Sequence, residues 1–119
     1  MPIELKRIQF PVFTAPMSAP YTQEVGFSLK GKVRRDDRGH AVWSAAIQSY
    51  SVEVLQSGNP THALMSLDEV GVEIVQGGPD DDAAVKLTMW RRNHPNDAKD
   101  PSWAFRATVT ALVIADIAP

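Results

Sequence analysis

Trp90-Arg91-Arg92-Asn93-His94 is the place in this 119-residue chain where an aromatic ring, cationic donors and a side-chain amide fall side by side. A tryptophan offers an apolar ring face to a sugar, and arginine, asparagine and histidine offer directional hydrogen bonds to hydroxyls. The cluster ends one predicted strand and enters the longest polar loop, where a rim site on a β-sandwich is expected. Trp90 falls on the strand face of Lys86 and Thr88, opposite the apolar set Val85, Leu87 and Met89. Two readings are open: Trp90, Arg91, Asn93 and His94 form a ligand-binding site, or Trp90 is core with Arg91 and Arg92 solvated beside it.

No other group of residues is organised for chemistry. His40, His62 and His94 each stand beside a turn or loop, and none has another His, Asp or Glu at metal-ligand spacing on one strand face. That leaves surface or loop-capping histidines, or a zinc site assembled across loops. There is no cysteine, hence no thiolate ligand, no cysteine nucleophile and no disulfide framework. No Gly-x-Ser-x-Gly elbow occurs, and Gly77-Gly78 lacks the Lys and helix of a phosphate-cradling loop. Asp80, Asp81 and Asp82, or Asn96, Asp97 and Asp100, carry oxygens that suit calcium, but neither run has the spacing of a calcium loop, and solvated turns are the simpler account. We therefore assign no catalytic residue, metal or cofactor and expect a non-enzymatic protein.

The charge distribution points to protein surfaces rather than polyanions. Residues 1–40 carry a net +3, residues 41–82 carry no Lys or Arg and a net −7, and residues 83–119 a net +2. An acidic middle between basic flanks can pair across neighbouring strands or make one face negative, and two readings follow: solvated outward positions, or one side of an electrostatically complementary subunit contact. A pI near 5.8 gives no continuous basic footprint for nucleic acid. No segment approaches the roughly 20 apolar residues of a membrane span, and residues 1–6 lack the pattern of a secretory signal. The expected location is the cytoplasm, or outside the cell as part of a released particle.

The elements that must position the cluster read as strands. Residues 21–34 alternate apolar and polar with period two, and 35–39, Arg-Asp-Asp-Arg-Gly, supply turn chemistry that predicts a hairpin with the alternating run 42–56. A bulge is expected near residues 48–51, because both faces of that run mix apolar and small polar side chains. Val70, Val72 and Ile74 share a face opposite Glu69, Gly71 and Glu73. Residues 3–10 form a further predicted strand, and 11–20, with three prolines, an extended connector. Residues 84–93 and 102–117 read as one long hairpin across a Pro/Asn/Asp loop. Its return strand ends in Ala111-Leu112-Val113-Ile114-Ala115, apolar at every position, which predicts cover on both faces by a second sheet and by loops or another subunit.

Together these elements predict an all-β protein, a single-domain antiparallel β-sandwich or flattened barrel of about six strands, with residues 1–20 as strand and connector and 21–119 as sandwich core. The span 41–117 resembles the H-type lectin domain. The resemblance lies in Val42, Ile47 and Val52 at five-residue spacing, in Thr88-Met89-Trp90-Arg91, and in the aliphatic run from Thr108 to Ala115. It implies a six-stranded sandwich assembled as a trimer or paired trimers, binding N-acetylgalactosamine-type sugars at subunit boundaries. Only Trp90 and Arg91 carry over as site residues; Leu64 and Met65 stand where the family has an arginine, and Leu112 where it has a tryptophan. The expected function is thus a homo-oligomeric binding module, trimer or hexamer, with glycans as partners. The alternative is a structural subunit of a phage-tail-like or other multi-subunit particle.

Overall fold

Apolar residues recurring with period two, many of them β-branched, give seven strands and no helix among the residues that the computed structural model describes, 2–16, 20–60, 69–90 and 103–119. The strands are β1 (Ile3–Pro16), β2 (Tyr21–Phe27), β3 (Trp43–Gln56), β4 (Asn59–Pro60), β5 (Glu69–Val75), β6 (Ala83–Trp90) and β7 (Trp103–Asp116). They form two antiparallel sheets, a larger one in the order β1-β7-β3-β4 and a smaller one in the order β2-β6-β5. The sandwich of antiparallel strands expected from the period-two runs is what forms.

The core lies between the sheets. From β7 it takes Phe105, Ala107, Val109, Ala111 and Val113, and from β6 Val85, Leu87 and Met89, all at most 2% exposed. Each large apolar side chain removed from water this way stabilises the fold by about 1.5–3 kcal/mol. Aromatic pairs join the layers at both ends. Phe13 of β1 stacks on Tyr21 of β2 with ring centroids 3.9 Å apart, and Phe27 of β2 meets Trp43 of β3 edge-on at 5.7 Å.

Residues 11–16 are strand rather than connector, since β1 continues from Ile3 to Pro16 in its ladder with β7, and three larger expectations are corrected. Residues 84–93 and 102–117 are not a hairpin: β6 pairs with β2 and β5, while β7 pairs with β1 and β3 in the other sheet. Alternation fixes which residues share a face and is silent on which strand is the neighbour. The run 21–34 is likewise not one strand. It leaves the ladder after Phe27 because carboxylates take its backbone donors: Asp82 accepts from Leu29 N at 2.7 Å, and Glu4 accepts from Lys30 N at 2.8 Å and Gly31 N at 3.0 Å. The turn at 36–39 does form, with Gly39 at φ +80°, Asp36 N donating to His40 O and an Arg35–Ala41 bridge. It closes only a local loop, since β2 and β3 belong to different sheets.

The third correction concerns the return strand. Ala111, Val113 and Ala115 are fully buried, but Ile114 on the opposite face is 39% exposed and Leu112 half-buried. Two-sided burial does not hold within one chain. The second sheet covers the inner face, and on the outer face of the larger sheet Ile3, Leu5 and Ile114 stay exposed. The bulge expected in β3 is present, between Ile47 and Ser49, and β1 has its own irregularity between Phe10 and Phe13, at Pro11.

Candidate functional site

Strand parity places Trp90 on the outer face of the smaller sheet, half-buried at the end of β6. Its cross-strand neighbour is Glu69 of β5. In the next row Thr88 lies between Thr22 of β2 and Gly71 of β5, and in the row after that Lys86 lies between Glu24 and Glu73. The inward residues of the same strands, Val70, Val72, Val85, Leu87 and Met89, hold this surface on the core. Trp90 thus belongs to the exposed side of the sheet rather than to the sandwich interior. Arg91, Asn93 and His94 lie outside the described residues, as do Arg92, His62 and the Asn96, Asp97 and Asp100 group.

The surface beside Trp90 is hollowed. A depression of about 240 Å³ is lined by Glu69, Gly71, Glu73, Lys86 and Thr88 with Val72. Gly71 is what opens it: a Cβ added there would meet nothing within 4 Å. A strand interior ordinarily disfavours glycine, so its place here leaves room for a group approaching the sheet. The lining offers carboxylate acceptors, an ammonium donor and the Thr88 hydroxyl, with the Trp90 ring one ladder step away beside Glu69, a set matched to a polyhydroxylated ligand. Glu69, Gly71 and Thr22 were not singled out from the sequence. Their face was legible in the period of two, but the pairing that sets them beside Trp90 was not.

A second surface covers the outer face of the larger sheet. Ile3, Leu5 and Ile114, 64%, 61% and 39% exposed, stand together there, since Leu5 is opposite Ile114 in the ladder. Ile3, Val42, Ser44, Ile114 and Asp116 line a depression of about 260 Å³ at one end. Asp116 Oδ2 accepts from Arg34 Nε at 2.9 Å, while its buried Oδ1 has no hydrogen-bond partner among the described residues. Arg7, Gln9, Gln48, Ser49 and Thr110 line a more polar hollow of about 380 Å³ at the β3 bulge.

Two acidic residues in the turns, Asp82 and Asp36, are structural ties. Asp82 takes the Leu29 amide, and Asp36 caps its own turn by accepting from Arg38 N and His40 N, both at 2.9 Å. The His40 amide, with that of Arg38, holds the Asp36 carboxyl below the usual carboxylate range. The Lys30 and Gly31 amides do the same for Glu4. His40 lies exposed, its Nδ1 3.9 Å from Asp36. Among the described residues, no three His, Cys, Asp or Glu side chains are grouped to hold a metal ion.

Comparison with family models, with curated proteins and with solved structures finds no match to this chain. The functional reading therefore rests on the geometry of these two surfaces.

Proposed function

We propose that this chain is a non-enzymatic, homo-oligomeric β-sandwich binding module whose ligand is a carbohydrate, taken up on the outer face of the smaller sheet around Trp90. The observation that carries this reading is the row structure there: an outward tryptophan beside Glu69, with the Gly71 gap and the hydroxyls of Thr22 and Thr88 one step along. The ring packs on the apolar face of a sugar, and the carboxylates and hydroxyls take its hydroxyl groups. Arg91, Asn93 and His94 follow Trp90 in the chain and are assigned to the same site. The sequence resemblance to the H-type lectin domain implies this ligand class and assembly into trimers or hexamers. The test is a broad glycan array read with the wild-type protein and with Trp90→Ala. Binding that disappears in a folded Trp90→Ala variant supports the reading, and silence of the wild type across the array overturns it.

A second reading, a structural subunit of a multi-subunit particle, is favoured by the exposed Ile3, Leu5 and Ile114 on the larger sheet. An apolar cluster of this kind on an open sheet face suits a subunit contact. Native mass spectrometry tests the assembly that both readings require: a fixed multimer is expected, and a monodisperse monomer at micromolar concentration overturns the structural-subunit reading; a multimer that binds no glycan on the array favours it over the carbohydrate-binding module.

A further inference from the structure

The larger sheet ends on one side in β1, 14 residues long, whose far edge has no strand partner among the described residues. A long unpaired edge is a template for another strand, and natural sheets blunt it with charges or prolines, or cover it. Here the stretch before the Phe10/Phe13 irregularity keeps regular pairing with β7 from Ile3 to Phe10 and carries two of the most exposed large apolar residues, Ile3 and Leu5. We propose that a second copy of this chain docks on this edge, the two β1 strands running antiparallel about a two-fold axis at Leu5, so that the two larger sheets join into one. The inference rests on the oligomeric reading above and gives it a register.

Charge selects that register. Opposed residues of an antiparallel pair point to the same face, so the axis must pass through a residue for outer faces to meet outer faces. With the axis at Leu5, Glu4 stands opposite the second copy's Lys6, twice over, and Leu5 stands opposite Leu5. Opposite charges across a strand pair attract and like charges repel. Moving the axis to Glu4 sets Glu4 against Glu4, moving it to Lys6 sets Lys6 against Lys6, and moving it to Arg7 brings two guanidinium groups together. Further along, the irregularity between Phe10 and Phe13 interrupts the strand. Glu4 is moreover fixed in place by the Lys30 and Gly31 amides, so its charge is presented at a defined point of the edge.

Two consequences on the outer face support the choice. Leu5 is opposite Ile114 within each chain, so the central row of the joined sheet reads Ile114, Leu5, Leu5, Ile114, and each exposed Leu5 gains the other as a lateral apolar neighbour. In the neighbouring row Asp116 is opposite Ile3, and Ile3 is opposite the second copy's Arg7. Arg7 then lies two strand spacings, about 10 Å, from Asp116, a gap that an extended arginine and a carboxylate side chain span between them. The buried Asp116 Oδ1, which has no partner among the described residues of one chain, gains a donor of the right charge. A two-fold contact of this kind is isologous and gives assemblies with an even number of copies, a dimer by itself or a hexamer when combined with a three-fold contact.

Because the chain has no cysteine, single substitutions report the register directly. Opposed Cα atoms across an antiparallel pair lie about 4.5–5.5 Å apart, inside the range a disulfide bridges. Purified Leu5→Cys, mildly oxidised at micromolar concentration, is expected to become a disulfide-linked dimer. Ile3→Cys is expected to cross-link with Arg7→Cys and not with itself, and Val12→Cys, beyond the overlap, is expected to stay unlinked. Lys6→Glu, folded by circular dichroism, is expected to weaken the dimer at least tenfold in native mass spectrometry. A wild-type protein that is a monomer overturns both this inference and the oligomeric reading, as does a variant set in which nothing cross-links because nothing assembles. A wild type that assembles while Leu5→Cys links no faster than Val12→Cys, or that is a trimer and nothing larger, overturns the β1 pairing alone.

Discussion

Arg34 and Asp116, 82 residues apart in the chain, meet at 2.9 Å through Nε and Oδ2 and tie the crossing segment between the two sheets to the end of β7. Backbone bonds run alongside, from Arg34 N to Asp116 O and from Val42 N to Arg34 O. Arg34→Ala removes a donor from a carboxylate that is 16% exposed and already short of one partner. We expect a loss of about 1–2 kcal/mol, the cost of an under-satisfied buried acceptor less the screening of a partly exposed pair. Urea unfolding should show a lower midpoint at unchanged slope, and the double variant Arg34→Ala/Asp116→Ala should lose less than the sum of its parts.

Acid should weaken the fold through Glu4 and Asp36. Backbone amides hold both carboxyls below their ordinary values. Between the unfolded and folded values the unfolded chain binds more protons, so the stabilisation is fully present above about pH 4–4.5 and is lost as pH falls through the depressed folded values. Thermal midpoints measured from pH 7 down to pH 2 should fall on the acid side. Glu4→Gln should be less stable at pH 7 and should show a shallower fall, with its curve approaching the wild type's at the lowest pH.

Gly71→Val separates binding from stability. The position is open, lies in β5 and has no positive φ, so a β-branched side chain fits the strand. Stability is expected to stay level or rise by about 0.5–1 kcal/mol, while the added side chain fills the gap beside Trp90 and abolishes carbohydrate binding. A Gly71→Val protein that binds like the wild type would remove this gap from the site.

Neighbouring residues in β7 should answer oppositely to the same change. Val113 is fully buried between the sheets, so Val113→Asp leaves a charge without water or partner and should prevent folding. Leu112 faces outward and is half-buried beside Arg7 and Ala46. Leu112→Asp should keep the circular dichroism spectrum, cost about 1 kcal/mol of lost burial, and act on oligomeric mass instead.

The faces of β2, β5 and β6 were legible in the sequence, because period two is enforced by the pleat wherever one side is buried. Val70, Val72 and Ile74 point inward as their spacing requires, and Trp90 points outward with Lys86 and Thr88. Neighbours were not legible. Nothing local in residues 84–90 says that they lie between β2 and β5 rather than beside β7. The early end of β2 was hidden for a related reason: Lys30 and Gly31 continue the alternation, but their amides are taken by Glu4, a side chain 26 residues earlier. In the candidate site, Trp90 was visible as an aromatic on the wrong face for core. Glu69 and Gly71 became its neighbours only through pairing.

The central position of β7 in the larger sheet sets the order in which that sheet can be made. β1 and β3 flank β7 and do not pair with each other, so β1 has no ladder, and β3 only its short pairing with β4, until residues 103–116 have left the ribosome. Until then Ile8, Phe10 and Phe13 of β1 have no sheet to sit in. Pairings between the first and last strands also carry a large loop-closure cost, which slows folding of β-proteins as a class. A nascent chain stalled before Trp103 should therefore be protease-sensitive throughout the larger sheet and dependent on chaperone protection, becoming resistant in a single step when β7 inserts between the two strands that wait for it.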